Sequence, residues 1–265
     1  MIHPTAVIHP HAQLGAGCSV GPFVVIEAEV VLGPECILGP QVYLTGRTVI
    51  GACNRFHAGC VIGDAPQDLK YRDAPTGLRI GDGNTFREHA TIHRSNRVDE
   101  ETIIGNGNLF MAGSHVGHNC QLGQDNILAN GALLAGHVHL ADRVFLSGTC
   151  LVHQFCRIGR LALMQGGAGI SLDLPPFCVV RGANDLVGLN TVGLRRAGFT
   201  AEQRLELKRA YHRLFRSGLK RAEALTRARG EFGTGTPAWE LIDFVSTSKR
   251  GVCADTGRRR DEPEG

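Results

Sequence analysis

The chain has 265 residues, 43% hydrophobic and 20% charged, with a formal net charge of +3. That composition suits a folded protein with a sizeable core, and the near balance of charge gives no general electrostatic case for nucleic acid. No apolar run approaches the roughly 20 residues that span a bilayer, and the patterned sequence begins at Ile2, which leaves no room for a signal peptide and predicts a cytoplasmic protein.

From Ile2 to Ile170 every sixth position is apolar, in one register. It opens Ile2, Ile8, Leu14, Val20, Ile26, Leu32 and closes Leu140, Leu146, Val152, Ile158, Met164, Ile170; only Asp68 and Ala74 break it. Neither an α-helix nor an isolated amphipathic strand repeats at six. A hexapeptide repeat does, and it predicts a mainly β protein, a parallel β-helix. Three hexapeptides form one triangular coil, aliphatic residues inward and glycine or small polar residues at the turns. Stacked coils bury a continuous core that no single coil forms. The repeat also explains the 35 glycines. Of the nine cysteines, Cys18, Cys36, Cys60, Cys120, Cys150 and Cys156 stand two residues before a register position. They are expected to be small buried corner residues. No Cys-x-x-Cys pair points to a redox or zinc motif.

In chain order, residues 1–185 are the expected solenoid. Two stretches, Asp64 to Arg79 and Ser95 to Thr102, weaken the pattern without losing register and are read as loops extruded from a coil, where function tends to sit. Asp173-Leu174-Pro175-Pro176 marks a break, and residues 186–252 are predicted as a small C-terminal α-helical domain. Thr200-Ala201-Glu202-Gln203 resembles a capping box that opens a helix ending near Ser217-Gly218. A second helix is expected from Leu219 to Arg229, and a third from Pro237 to about Ser248, with proline at a favourable first position. The charged tail, residues 253–265, is expected to be disordered, with Arg258-Arg259-Arg260 a solvated end.

With 18 residues to a coil, His118, Gly136 and Gln154 share one azimuth, His137 and His153 flank it, and His115 lies near the same corner. Such a cluster suits a general acid/base site with companions that bind a polar or charged substrate. Three histidines also suit zinc, but no cluster of carboxylates accompanies these, and no metal is predicted. His57 and His93 are two nominal coils apart on one azimuth and are read as structural. Lys70, the only lysine in the first 200 residues, lies in the first extruded loop beside Gln67 and Asp68. Substrate binding and a solvated charge are both open for it. Arg195 and Arg196 precede the first long helix and suit a phosphate or plain surface charge. The basic run Lys208, Arg209, Arg213, Arg216, Lys220 and Arg221 suits an acidic protein partner or a solvated helix face.

Six strings then resemble the UDP-N-acetylglucosamine 3-O-acyltransferases that begin lipid A synthesis: Pro66-Gln67-Asp68-Leu69-Lys70-Tyr71, Thr91-Ile92-His93-Arg94, Ser114-His115-Val116-Gly117-His118, Ile127-Leu128-Ala129-Asn130, Leu134-Ala135-Gly136-His137-Val138 and Val152-His153-Gln154-Phe155-Cys156. Gly193-Leu194-Arg195-Arg196 and Tyr211 to Gly218 extend the likeness into the helical domain, so that it runs from Ile2 to about Arg250. The resemblance implies a left-handed β-helix, a homotrimer with sites between neighbouring subunits, and a UDP-amino-sugar acceptor. It implies an (R)-3-hydroxyacyl group delivered on the phosphopantetheine of acyl carrier protein, and no cofactor of the enzyme's own. Within it His118 matches the general base and the Gly136 N–H the oxyanion donor. Gln67, Asp68, Lys70, His115, His137, His153 and Gln154 match substrate contacts, Asn190 and Arg196 nucleotide-side positions, and Gly166 the acyl-chain ruler. Three positions depart from the pattern: Asn119 follows the base where an acid is frequent, Val192 replaces a nucleotide-contacting acid, and Ala197 a basic residue. Because Asn orients a histidine without raising its basicity as a carboxylate does, a 3-amino acceptor, the better nucleophile, stands as the alternative to the 3-hydroxyl sugar. An N-acyltransferase of the later pathway, a coenzyme A acetyltransferase, a carbonic-anhydrase-like zinc protein and a non-catalytic scaffold are the remaining readings.

Overall fold

The computed structural model describes residues 1–256. Strands, most of them two residues long, pair in parallel and stack into three sheets, the three faces of a β-helix. Face one runs from Val7–Ile8 to Gly169–Ile170 and face two from Gln13–Leu14 to Arg157–Ile158; face three begins at Ser19–Val20 and reaches Cys178–Arg181. Successive side chains on a strand point to opposite faces. In each two-residue strand of the solenoid the apolar register residue therefore enters the core, and Ile62, Phe86, Val116, Leu134 and Met164 are fully buried. Ile2, in the unfinished first coil, and Val98, in the second extruded loop, are the exposed members of the series, at 56% and 62%.

Coils in register stack like on like. Phe56, Phe86 and Phe110 form a column with ring centroids 4.7 Å apart and almost parallel planes. At the edge joining faces two and three, buried Asn54, Asn84, Asn108 and Asn126 form a ladder. Each Oδ1 accepts a backbone N–H of the next coil, from Asn84 N–H to Asn54 at 2.9 Å up to Val144 N–H to Asn126 at 2.8 Å. All six corner cysteines are buried free thiols, and burial pushes the Cys120 thiol up to about 12.

The two loops disturb the coil count. Ile62 pairs directly with Ile92, and Ile80 with Ile104, so the first loop lengthens its coil by twelve residues and the second by six. Six-residue register survives each loop; eighteen-residue azimuth returns only after both. His57 therefore follows face three, where its Nδ1 is 3.5 Å from Glu88 Oε1, whereas His93 lies on face one opposite Asp64. The shared azimuth predicted for these two histidines is absent.

The solenoid also ends later than expected. Asp185–Leu189 is a strand antiparallel to Cys178–Arg181 that extends face three, so residues 186–189 are not helical. Among the described residues four helices follow: α1 (Thr191–Arg196), α2 (Ala201–Phe215), α3 (Arg221–Glu231) and α4 (Pro237–Thr247). The capping box forms at Thr200, whose hydroxyl accepts from Gln203 N–H while the Gln203 amide accepts from Thr200 N–H. Cys253 to Thr256, expected as the start of a disordered tail, are packed. Cys253 is buried, Ala254 pairs with Asp185, and Asp255 Oδ2 accepts from the Tyr211 hydroxyl at 2.8 Å. A cysteine that finds the core and an aspartate that finds Arg216 outweigh the polar composition. Residues 257–265, with Arg258-Arg259-Arg260, lie outside the described residues. Among the described residues no helix is long and apolar enough to cross a membrane.

Candidate active site

The histidines gather where face one turns into face two. His118 and His137 meet edge to face, ring centroids 5.1 Å apart, and His137 stacks on Phe155 at 4.6 Å. Asn119, His137 and Phe155 occupy equivalent turn positions in successive coils, all with positive φ. Just below, the His93 and His115 rings cross at 4.8 Å. His93 is buried, and its Nδ1 has no hydrogen-bond partner among the described residues. Burial, then the neighbouring His93 and His118, pushes His115 down to about 4. Burial first, and His118 second, lowers His137.

The second extruded loop closes over His118 from one side. Asn119 Oδ1 is 2.9 Å from His118 Nδ1 and also accepts from Asn96 N–H at 3.0 Å. The Asn119 amide donates to Ser95 Oγ at 2.8 Å and to Glu100 Oε2 at 2.7 Å. These partners allow one orientation of the Asn119 amide. Its oxygen only accepts, so in the neutral His118 ring the proton sits on Nδ1 and the lone pair on Nε2. That nitrogen faces the next coil, where a Cβ built on Gly136 would lie 2.7 Å from it. The glycine is there because the imidazole lies against its Cα. Among the described residues the Gly136 N–H has no hydrogen-bond partner. A lone pair and a free N–H side by side are what acyl transfer asks for: a base for the nucleophile and a donor for the developing oxyanion.

The first extruded loop brings the remaining charges. Asp68 Oδ1 accepts from Lys70 N–H at 2.9 Å and Oδ2 from the Asn96 amide at 2.8 Å. Those bonds, the backbone one first, hold the carboxyl below its usual range, and His118 contributes to the lowering. Gln67 lines a groove of about 590 Å³ with His115, Leu133, Leu151 and His153 on the outer side of face one. Lys70 and Gln154 are exposed beside these groups, and Arg250 donates to His153 Nδ1 at 3.2 Å.

Three predicted residues stand elsewhere in the chain. Asn190 caps α1 and donates to Leu161 O at 2.9 Å, at the edge of faces two and three. Arg196, in the last turn of α1, is exposed. Gly166 is on the edge of faces three and one, where a Cβ would meet Gly148 O at an ordinary 3.7 Å. One chain therefore spreads its predicted site over three edges of the prism. Sequence reasoning missed Glu100 and Asn96, which lie in an irregular loop with no periodic signal, and it read His93 as structural.

Comparison with known proteins shows the family. Residues 173–253 match the family described as UDP-N-acetylglucosamine O-acyltransferase, domain 2, and residues 101–136 the bacterial transferase hexapeptide family. The acyl-(acyl-carrier-protein)–UDP-N-acetylglucosamine O-acyltransferase of Myxococcus xanthus is 46% identical over 95% of this chain and 98% of that one; its counterpart in Halorhodospira halophila is 42% identical over the same shares. Among solved structures, the UDP-N-acetylglucosamine acyltransferase of Francisella novicida superposes with a TM-score of 0.93 at 38% identity, over 97% of this chain and 95% of that one. That of Bacteroides fragilis gives 0.90 at 37%, over 95% and 99%. The β-helix has the left hand of that architecture.

Proposed function

This chain belongs to the UDP-N-acetylglucosamine O-acyltransferase family, and from that premise we propose how its residues carry the reaction. It moves an acyl group from acyl carrier protein to UDP-N-acetylglucosamine. His118 Nε2 takes the proton of the sugar 3-hydroxyl as that oxygen attacks the thioester carbonyl. Negative charge gathers on the carbonyl oxygen, which the Gly136 N–H receives. Collapse breaks the carbon–sulfur bond, and the leaving phosphopantetheine thiolate takes the proton from His118. The donor carries an (R)-3-hydroxyacyl chain, so the enzyme needs no cofactor of its own, and the product enters lipid A synthesis in the cytoplasm. Gln67, Asp68, Lys70, His115, His137, His153 and Gln154 hold the two substrates. Gly166 leaves room at the far end of the acyl groove, which favours a longer chain. The basic face of α2 and α3 docks the acidic carrier through Lys208, Arg209, Lys220 and Arg221. Arg213 and Arg216 of the same run are engaged instead with Glu231 and Asp255.

A homotrimer brings the three edges together. In the later coils, face three turns Leu109, Ile127, Phe145 and Leu163 outward and face one Leu133 and Leu151, whereas face two turns out Gln121, His139 and Arg157. Two apolar faces and one polar face suit packing around a threefold axis, with Asn190 and Arg196 of one subunit reaching the histidines of its neighbour. Sedimentation that returns a monomer at micromolar concentration would remove this part.

The observation that carries the catalytic reading is the His118 ring, its tautomer set by Asn119 and its free nitrogen against Gly136. The test is transfer from hydroxyacyl-carrier protein to UDP-N-acetylglucosamine by wild type and His118→Ala. A loss of roughly 10²- to 10⁴-fold is expected for a general base. Full activity in the variant would move the base elsewhere.

A further inference from the structure

We infer that Glu100 is the carboxylate behind the catalytic base, acting through Asn119. This rests on His118 as the base. Where an acid next to a histidine would accept its Nδ1–H directly, this chain places an amide between the two. The line runs from His118 Nδ1–H to Asn119 Oδ1 at 2.9 Å, and from Asn119 Nδ2–H to Glu100 Oε2 at 2.7 Å. The other carboxylate oxygen, Oε1, is held by Arg97 at 2.9 Å, which leaves Oε2 aimed at the amide. A carboxylate accepting from Nδ2–H polarises the amide, makes Oδ1 a stronger acceptor and supports positive charge on the imidazole as it takes a proton.

The surroundings are built for this arrangement. Asn119 is 4% exposed, and every polar group of its side chain and its N–H is engaged: Oδ1 by Asn96 N–H and His118, Nδ2 by Ser95 and Glu100, and N–H by Thr102 Oγ1 at 2.8 Å. Ser95, Asn96 and Glu100 all come from the second extruded loop, whose six additional residues thus serve to hold the base. Residue 119 has φ of +58°, a conformation that asparagine and aspartate tolerate better than most residues. An aspartate there would put its oxygen against Glu100 Oε2, two like charges in contact. Asn119 and Glu100 therefore belong together: with the acid in the loop, the residue after the base must be an amide. The motive for a 3-amino acceptor disappears with this, because the base has its carboxylate one bond further out. Glu100 is a positioning residue and touches no substrate.

The experiment is a charge-swap cycle in the full-length protein: wild type, Glu100→Gln, Asn119→Asp and the double variant. Glu100→Gln should lower kcat by roughly three- to tenfold, the scale of one ordinary hydrogen-bond contribution, with KM for the sugar nucleotide within about twofold. Asn119→Asp alone should also lose activity, since it sets two carboxylates face to face. The double variant, which returns a single acid to the position beside the base, should recover kcat to within about twofold of wild type. A double variant no better than the worse single, or a Glu100→Gln enzyme with unchanged kcat, overturns the proposal. The His118 Nδ1–H proton resonance, followed by NMR in the free protein, needs no turnover. It should move upfield in Glu100→Gln and downfield in the double variant, and an unmoved resonance also overturns the proposal. If His118→Ala retains full activity, the reading of His118 as base fails while the resonance still reports whether Glu100 acts on the ring.

Discussion

Two edges of the same prism do opposite work. Where faces two and three meet, Asn54, Asn84, Asn108 and Asn126 pass hydrogen bonds from coil to coil, each buried oxygen satisfied by the backbone above. Where faces one and two meet, burial drives His93 and His115 of face one and His137 of the turn toward the neutral form, one ring nitrogen of His93 has no partner among the described residues, and two loops fold over the gap. The regular turns at both edges share a residue with positive φ, Asp125 at the first and Asn119, His137 and Phe155 at the second. At the asparagine edge every ladder oxygen is satisfied and, of the ladder side-chain atoms, Asn126 Nδ2 alone lacks a partner among the described residues, while the histidine edge keeps a lone pair and an N–H unspent. Loops supply at the second edge what the repeat supplies at the first.

The contrast breaks most sharply at His118. His118→Ala should cost roughly 10²- to 10⁴-fold in turnover and leave the thermal midpoint within a degree or two; a large fall in the midpoint would make the histidine edge structural after all. Gly136→Ala comes next. Its methyl would sit 2.7 Å from the base, and displacing the ring should lower kcat by about a hundredfold without loss of fold. Asn84→Ala should do the reverse, removing about 2–3 kcal/mol of stability through stranded buried partners while kcat stays within about twofold below the melting transition. Loss of activity without loss of stability would erase the distinction.

The last effect is the pH dependence that His115 brings to the histidine edge. His115 has a folded pKa of about 4, set first by burial, against an ordinary 6.5. Between those values the unfolded chain binds more protons, so acid favours unfolding. Stability should be unaffected above about pH 6.5, fall as pH drops toward 4, and lose roughly 3 kcal/mol in all. His115→Gln, followed by denaturant melts at each pH, should flatten that slope, whereas Asn84→Ala should leave it unchanged.

Much of this was legible in advance because an inward side chain every six residues is a strictly local rule. It located the core, the buried cysteines and the convergence of His118 on Gly136. The coil count failed between His57 and His93 because a multiple of six preserves register and is silent about how many faces a loop skips. Strand Asp185–Leu189 was missed because it is a local antiparallel hairpin with Cys178–Arg181, outside the six-residue period, and the packed segment Cys253–Thr256 because its partners Asp173, Asp185 and Arg216 are distant in sequence.

The sequence by itself determined the solenoid, its register and the histidine corner, since each follows from side-chain period alone. Only the tertiary structure decided that Glu100 stands behind Asn119, that Asn96 ties Asp68 to the base, and that Asn190, Gly166 and His118 lie on three different edges. Those relations depend on where irregular loops come to rest after the coils have stacked. Loop conformation is set by hydrogen bonds to groups far away in the chain, and no period encodes them.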